Sequence, residues 1–110
     1  AFFEVKLPQI FIFIHPVGAV LGRASYDDYL MVYQRCGVGT NKNHKPHLGR
    51  QLTLHPGASI LGKSKIGNNC SIGTDSVVLD KDIESNMVYV GNPKKFYLFK
   101  KDKPNDVWVL

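Results

Sequence analysis

From Leu48 onward an aliphatic residue returns at every sixth position: Leu48, Leu54, Ile60, Ile66, Ile72 and Val78. Written in sixes, the stretch reads LGRQLT, LHPGAS, ILGKSK, IGNNCS, IGTDSV, VLDKDI. The fifth letters are Leu52, Ala58, Ser64, Cys70, Ser76 and Asp82, small in four of the six. Helices repeat near 3.6 residues and half-buried strands near two, so a period of six belongs to neither. It predicts short strands joined by tight turns in a solenoid, each six residues making one flat side of a coil. The aliphatic first position fills the interior and the small fifth position sits at the bend. Gly49, Gly67, Gly73 and Asn68-Asn69 supply turn chemistry.

The beat also runs upstream through Ile14, Val20, Tyr26, Val32 and Val38, with Ala24 and Cys36 in the fifth place. Between Val38 and Leu48 the spacing is ten, so the segment NKNHKPH adds four residues to one repeat. An insertion of this kind leaves the coil as a loop, here about 41–47, while the stack continues beneath it. Cys36 and Cys70 both fall on the small position, which assigns them to packing.

A chain of 110 residues suits one domain, with a core over about 14–95 and a tail over 96–110. The chain begins with Ala, as a fragment lacking an N-terminal region would. Hydrophobic content of 44% fits a globular protein. The apolar opening is broken by Glu4, Lys6, Pro8, Gln9 and His15, so it supplies no membrane span of about 20 residues. Nor does it carry the basic flank of a signal peptide. Two cysteines without such a signal point to a reducing compartment, the cytoplasm. The net charge of +5 gathers toward the end, at Lys94, Lys95, Lys100, Lys101 and Lys103. Such a run suits a solvated tail or a small polyanion such as a nucleotide phosphate. No motif of a nucleic-acid binder accompanies it.

The repeats, together with HPVGAVLG (15–22), CGVGT (36–40), the 44–46 loop, LHPGASILGKSKIGNNCSIGTDSVVL (54–79) and VGNPKK (90–95), resemble the hexapeptide acyltransferases. Within them the nearest resemblance is to serine acetyltransferases, including relatives tied to capsule biosynthesis. It implies an all-β, left-handed parallel β-helix, assembled as a homotrimer or a multiple of trimers. The implied activity is transfer of an acetyl group from acetyl-CoA to a small-molecule hydroxyl, L-serine first. No metal, nucleic acid or membrane is implied.

Acetyl transfer to a hydroxyl needs a base for the hydroxyl proton and donors for the oxyanion. Imidazole suits the first role near neutral pH. The family's general base stands in an Asp-His-x-x-Gly context, which His15 and Gly18 match; Ile14 takes the place of the aspartate that helps bind the acceptor amino acid. The family's orienting carboxylate lies further upstream, where Glu4 is the available candidate. His44 takes the place of a family histidine that contacts the acceptor, with His47 as its alternative. His55 reads as structural or as lining the cofactor groove. By the same resemblance Gly39, Pro56, Gly57, Gly73 and Thr74 flank the pantetheine arm and Lys95 approaches the adenosine phosphates.

Three other readings remain. A sugar or capsule-related hydroxyl fits the same chemistry, and Ile14 favours it over serine. A carbonic anhydrase of the same fold would need three histidines converging on zinc, and the spacing of 15, 44 and 47 lacks that pattern. A non-catalytic scaffold is the third, with DVWVL (106–110) as an extra strand or a peptide for a protein partner.

Overall fold

The computed structural model of the chain describes residues 5–101; Glu4 and the DVWVL segment lie outside them. The described residues form thirteen strands and no helix. In chain order these are β1 (Phe11–Phe13), β2 (Val20–Leu21), β3 (Leu30–Val32), β4 (Gly37–Gly39), β5 (His47–Leu48), β6 (Thr53–Leu54) and β7 (Ser59–Leu61). They continue with β8 (Lys65–Ile66), β9 (Ser71–Ile72), β10 (Val77–Leu79), β11 (Asp82–Ile83), β12 (Met87–Gly91) and β13 (Phe96–Lys100).

The strands stack into three sheets, which the chain visits in rotation. Sheet I has the order β1-β3-β6-β9-β12-β13, sheet II the order β10-β7-β4-β2, and sheet III the order β11-β8-β5. All pairings are parallel except β12 with β13. The result is a three-sided parallel β-helix of about four turns. The six aliphatic first positions from Leu48 to Val78 point inward and are 5% exposed or less. Each such side chain contributes roughly 1.5–3 kcal/mol of burial, and together they make a continuous interior column.

Upstream the inward phase differs from the expected beat. Leu21 is buried, while Val20 is 55% exposed. The register explains the shift, since Phe13 pairs with Val32 and Leu21 with Val38. Phe13 and Leu21 are thus inward and eight residues apart, where Val32 and Val38 are six apart. The corner between β1 and β2 therefore carries two extra residues, and Ile14 is not an interior position. A second correction falls at Asp82, which is exposed, because the interior resumes at Ile83, five residues after Val78.

The inserted loop is confirmed by register: Met31 pairs with Thr53, and Thr53 with Ser71, steps of twenty-two and eighteen. It is tighter than expected. Asn41 and His44 exchange backbone hydrogen bonds of 3.1 and 3.0 Å around Lys42 and Asn43, whose φ angles are +50° and +65°. That is the backbone of a two-residue hairpin turn. Pro46 is already buried, and His47, expected in the loop, belongs to β5. Beyond Lys95 the expected tail opens with β13, held antiparallel to β12.

Corners repeat as well as strands. Gly18, Arg35, Gly57 and Asp75 occupy equivalent places between sheets I and II and all have positive φ, from +56° to +78°. A Cβ at Gly57 would meet the Asp75 side chain, and glycine holds its φ of +78° without strain. Arg35 and Asp75 are thereby left to meet at 3.7 Å, in an exposed pair.

Candidate active site along two edges of the coil

The extra residues of the first corner are His15 and Pro16. Ile14 N donates to Val32 O and Arg35 N donates to Val17 O, so the ladder is regular on both sides of the pair. His15 itself has φ +48° and is exposed. A backbone that must carry two residues more than the coil below it bulges outward. The bulge presents the imidazole on the edge between sheets I and II.

Most of the other expected positions lie on that same edge. Pro56 and Gly57 turn from β6 into β7, and Gly73 and Thr74 from β9 into β10. Lys95 closes the β12–β13 hairpin, where Asn92 and Lys95 exchange backbone hydrogen bonds of 2.9 and 3.1 Å. Ser76 Oγ accepts from Gly91 N at 3.0 Å, which ties that hairpin to the corner of β10. Four strand spacings separate the β1 and β12 ends of the edge, about 19 Å at ~4.8 Å each. The order along it is His15, Pro56-Gly57, Gly73-Thr74, Lys95.

His44 and Gly39 are elsewhere. Both stand at the far side of sheet II, on the edge toward sheet III: Gly39 ends β4 and His44 closes the loop that follows. The outer face of sheet II between the two edges is bare in its upper half. Its outward positions are Val20 and Gly22, then Gly37 and Gly39, Ser59 and Leu61, and Val77 and Leu79. A Cβ at Gly22 would stand 2.7 Å from the Val38 carbonyl oxygen, so packing demands that glycine. At Gly39 it would meet nothing nearer than Leu61 Cδ2 at 3.8 Å. The fold does not need glycine there, and its absence of side chain leaves strand backbone open to a thin ligand.

His55 stacks on Tyr33 with ring centroids 5.6 Å apart, on the outer face of sheet I. Burial lowers its pKa, and Lys101 nearby lowers it further. This is a packed histidine on the sheet, in line with its structural reading. Burial likewise raises the thiols of Cys36 and Cys70, and Cys36 Sγ contacts the carbonyl oxygens of Leu54 and His55 at 3.4 and 3.2 Å. Both cysteines are free and buried. Tyr26, whose phenol is also raised by burial, donates to Gly22 O at 2.6 Å. Among the described residues no group of three or more His, Cys, Asp or Glu is placed to hold a metal ion. Nor, among them, is any helix long and apolar enough to cross a membrane.

One feature was not legible in the sequence. Beneath the loop, His44, Lys45, His47, Lys63, Lys65 and Asp82 line a groove of about 410 Å³. Three of them stack in register on sheet III, His47 on Lys65 and Lys65 on Asp82. His47 and Lys65 are eighteen residues apart, but Lys65 and Asp82 only seventeen, so a fixed coil length does not bring the row together.

No protein-family model matches the chain. The serine acetyltransferase of Synechococcus elongatus is 39% identical over 94 residues, covering 80% of this chain and 38% of that enzyme. A solved serine acetyltransferase in complex with cysteine superposes with a TM-score of 0.77 at 25% identity, over 89% of this chain and 39% of the other. A serine acetyltransferase in complex with CoA does so with a TM-score of 0.75 at 25% identity, over 86% and 39%. The chain thus spans under half the length of these relatives. The coil is of their left-handed type. By sequence and by fold, the chain belongs to the serine acetyltransferase family of hexapeptide-repeat acyltransferases.

Proposed function

We propose that the chain forms the catalytic coil of an acetyl-CoA-dependent O-acetyltransferase, with the L-serine hydroxyl as acceptor. The observation that carries this reading is the order along one edge: a histidine on a widened corner, the Arg35, Pro56-Gly57 and Gly73-Thr74 turns, then a lysine about 19 Å away. An extended phosphopantetheine arm spans that edge with its thioester at His15 and its phosphates at Lys95. Pro56, Gly57, Gly73 and Thr74 flank the arm. The relatives in complex with cysteine and with CoA support both halves of the assignment.

His15 acts as general base. It takes the proton of the acceptor hydroxyl as the oxygen attacks the thioester carbon, and it returns that proton to the departing sulfur. The products are an acetyl ester and free CoA. His44 contacts the acceptor.

His15 and His44 stand on opposite sides of sheet II, so one copy cannot bring them to one hydroxyl without crossing a face of the coil. A cyclic trimer resolves this. Its interfaces are head-to-tail, so each joins two different edges. The I/II edge of one copy then faces the II/III edge of the next, and Gly39 lies beside the neighbour's pantetheine arm.

A sugar hydroxyl is the second reading, favoured by Ile14. An aliphatic side chain precedes His15, and it offers nothing to the ammonium group of an amino acid. Initial rates of CoA release with serine and with a panel of sugars decide between them. Serine turnover supports the first reading; turnover confined to sugars transfers the same machinery to the second.

A further inference from the structure

The groove under the 41–46 loop has a charge pattern that acetyl transfer by histidine does not require. Lys45, Lys63 and Lys65 line it together with His44 and His47, against the single carboxylate of Asp82. Among the described residues the ion pair formed is Arg35–Asp75, so these three lysines hold no carboxylate. The other carboxylate at hand is already engaged: Asp80 accepts from Lys63 N at 2.7 Å and from Asn41 Nδ2 at 3.4 Å. Those bonds fix the backbone of Lys63 and root the loop on the coil. Ser64, which lines the groove with Asn43, donates to Leu61 O and accepts from Lys81 N. Like charges gathered on a fixed backbone repel one another unless an anion joins them.

We propose that this groove is a binding site for a phosphate-type oxyanion, held by Lys45, Lys63 and Lys65. Lysine ammonium groups act as point charges and suit a phosphate approached from several sides. The absence of arginine from the lining argues against planar, bidentate capture of a carboxylate. Asp82, at the end of the register row, opposes the anion and limits its affinity. The phosphate can come from either of two sources, a phosphorylated acceptor or the acyl donor, the second of which would move the donor's phosphates from Lys95 to this groove. Linking the groove to the reaction rests on the acetyltransferase reading; anion binding itself does not.

The test uses inorganic phosphate as probe, titrated by calorimetry into the full chain. Lys63→Ala/Lys65→Ala is expected to weaken binding on the order of tenfold or more, and Asp82→Asn to strengthen it. Removing the same charge from the distant hairpin, in Lys94→Ala/Lys100→Ala, is expected to leave it unchanged. Circular dichroism confirms that each variant is folded. Equal loss in both double variants, or no binding by the parent chain, would overturn the site. Phosphate inhibition competitive with acetyl-CoA names the donor as the source, and inhibition competitive with the acceptor names the acceptor. Inhibition competitive with neither would sever the groove from the reaction. Phosphate binding that depends on Lys63 and Lys65 in a chain that turns over no acceptor would sink the acetyltransferase reading and leave the site standing.

Discussion

His15 and His44 leave the coil on opposite edges of sheet II, His15 between β1 and β2 and His44 between β4 and β5. If both serve one hydroxyl, they come from different copies. His15→Ala and His44→Ala chains, each inactive or nearly so alone, should then regain activity when unfolded together and refolded as a mixture. Some interfaces in the mixture pair an intact His15 with an intact His44. A mixture no more active than its parts would place both histidines at separate tasks.

Two glycines separate the needs of the fold from those of the ligand. A Cβ at Gly67 would collide with the backbone nitrogen of Ser85, whereas at Gly39 the nearest atom is 3.8 Å away. Gly67→Ala should lower the free energy of unfolding by about 1–3 kcal/mol. Gly39→Ala should change it by less than ~0.5 kcal/mol but raise KM for acetyl-CoA, because the methyl group occupies the strip assigned to the pantetheine arm. Urea denaturation and steady-state kinetics check the two halves. A Gly39→Ala enzyme with unaltered KM would remove that residue from the donor site.

The fold was legible where the period was unbroken. Leu48 through Val78 point inward as the beat predicts, and the insertion between Val38 and Leu48 appears in the register at its expected length. The phase was lost upstream because the repeat from Leu21 to Tyr26 is a residue short and His15 and Pro16 widen the corner before it by two, and neither change marks a count of sixes. It slipped again at Asp82, where one repeat is a residue short. The site was legible in part, since histidines and corner glycines stand out singly. Lys63 and Lys65 did not, because their meaning depends on which residues stack above and below them across whole coils.

His55 makes acid stability sensitive to one side chain. Burial first, and Lys101 second, hold its folded pKa below the ordinary value. The unfolded chain therefore takes up the proton more readily, and stability rises with pH across this window. As pH falls through about 6.5, stability is lost until the pH drops below the folded pKa. The melting temperature should fall on acidification, and His55→Gln should lessen the fall. An equal fall in both proteins would mean that other groups carry the acid sensitivity.

The two thiols should be silent in the native state. Cys36 and Cys70 are buried, with pKa values raised by burial, and only thiolate reacts quickly. A colorimetric thiol reagent should find neither in buffer and both in denaturant. Rapid labelling of the folded chain would contradict the packing assigned to the small positions.

The central claim is that His15 takes the proton of the acceptor hydroxyl. The most direct measurement is kcat for acetyl-CoA turnover with serine, or with whichever hydroxyl the panel identifies, in the parent chain and in folded His15→Ala. General-base catalysis predicts a loss of roughly 10²–10⁴ in kcat, with KM for acetyl-CoA little changed. A folded His15→Ala enzyme that keeps its parent's kcat would contradict the account.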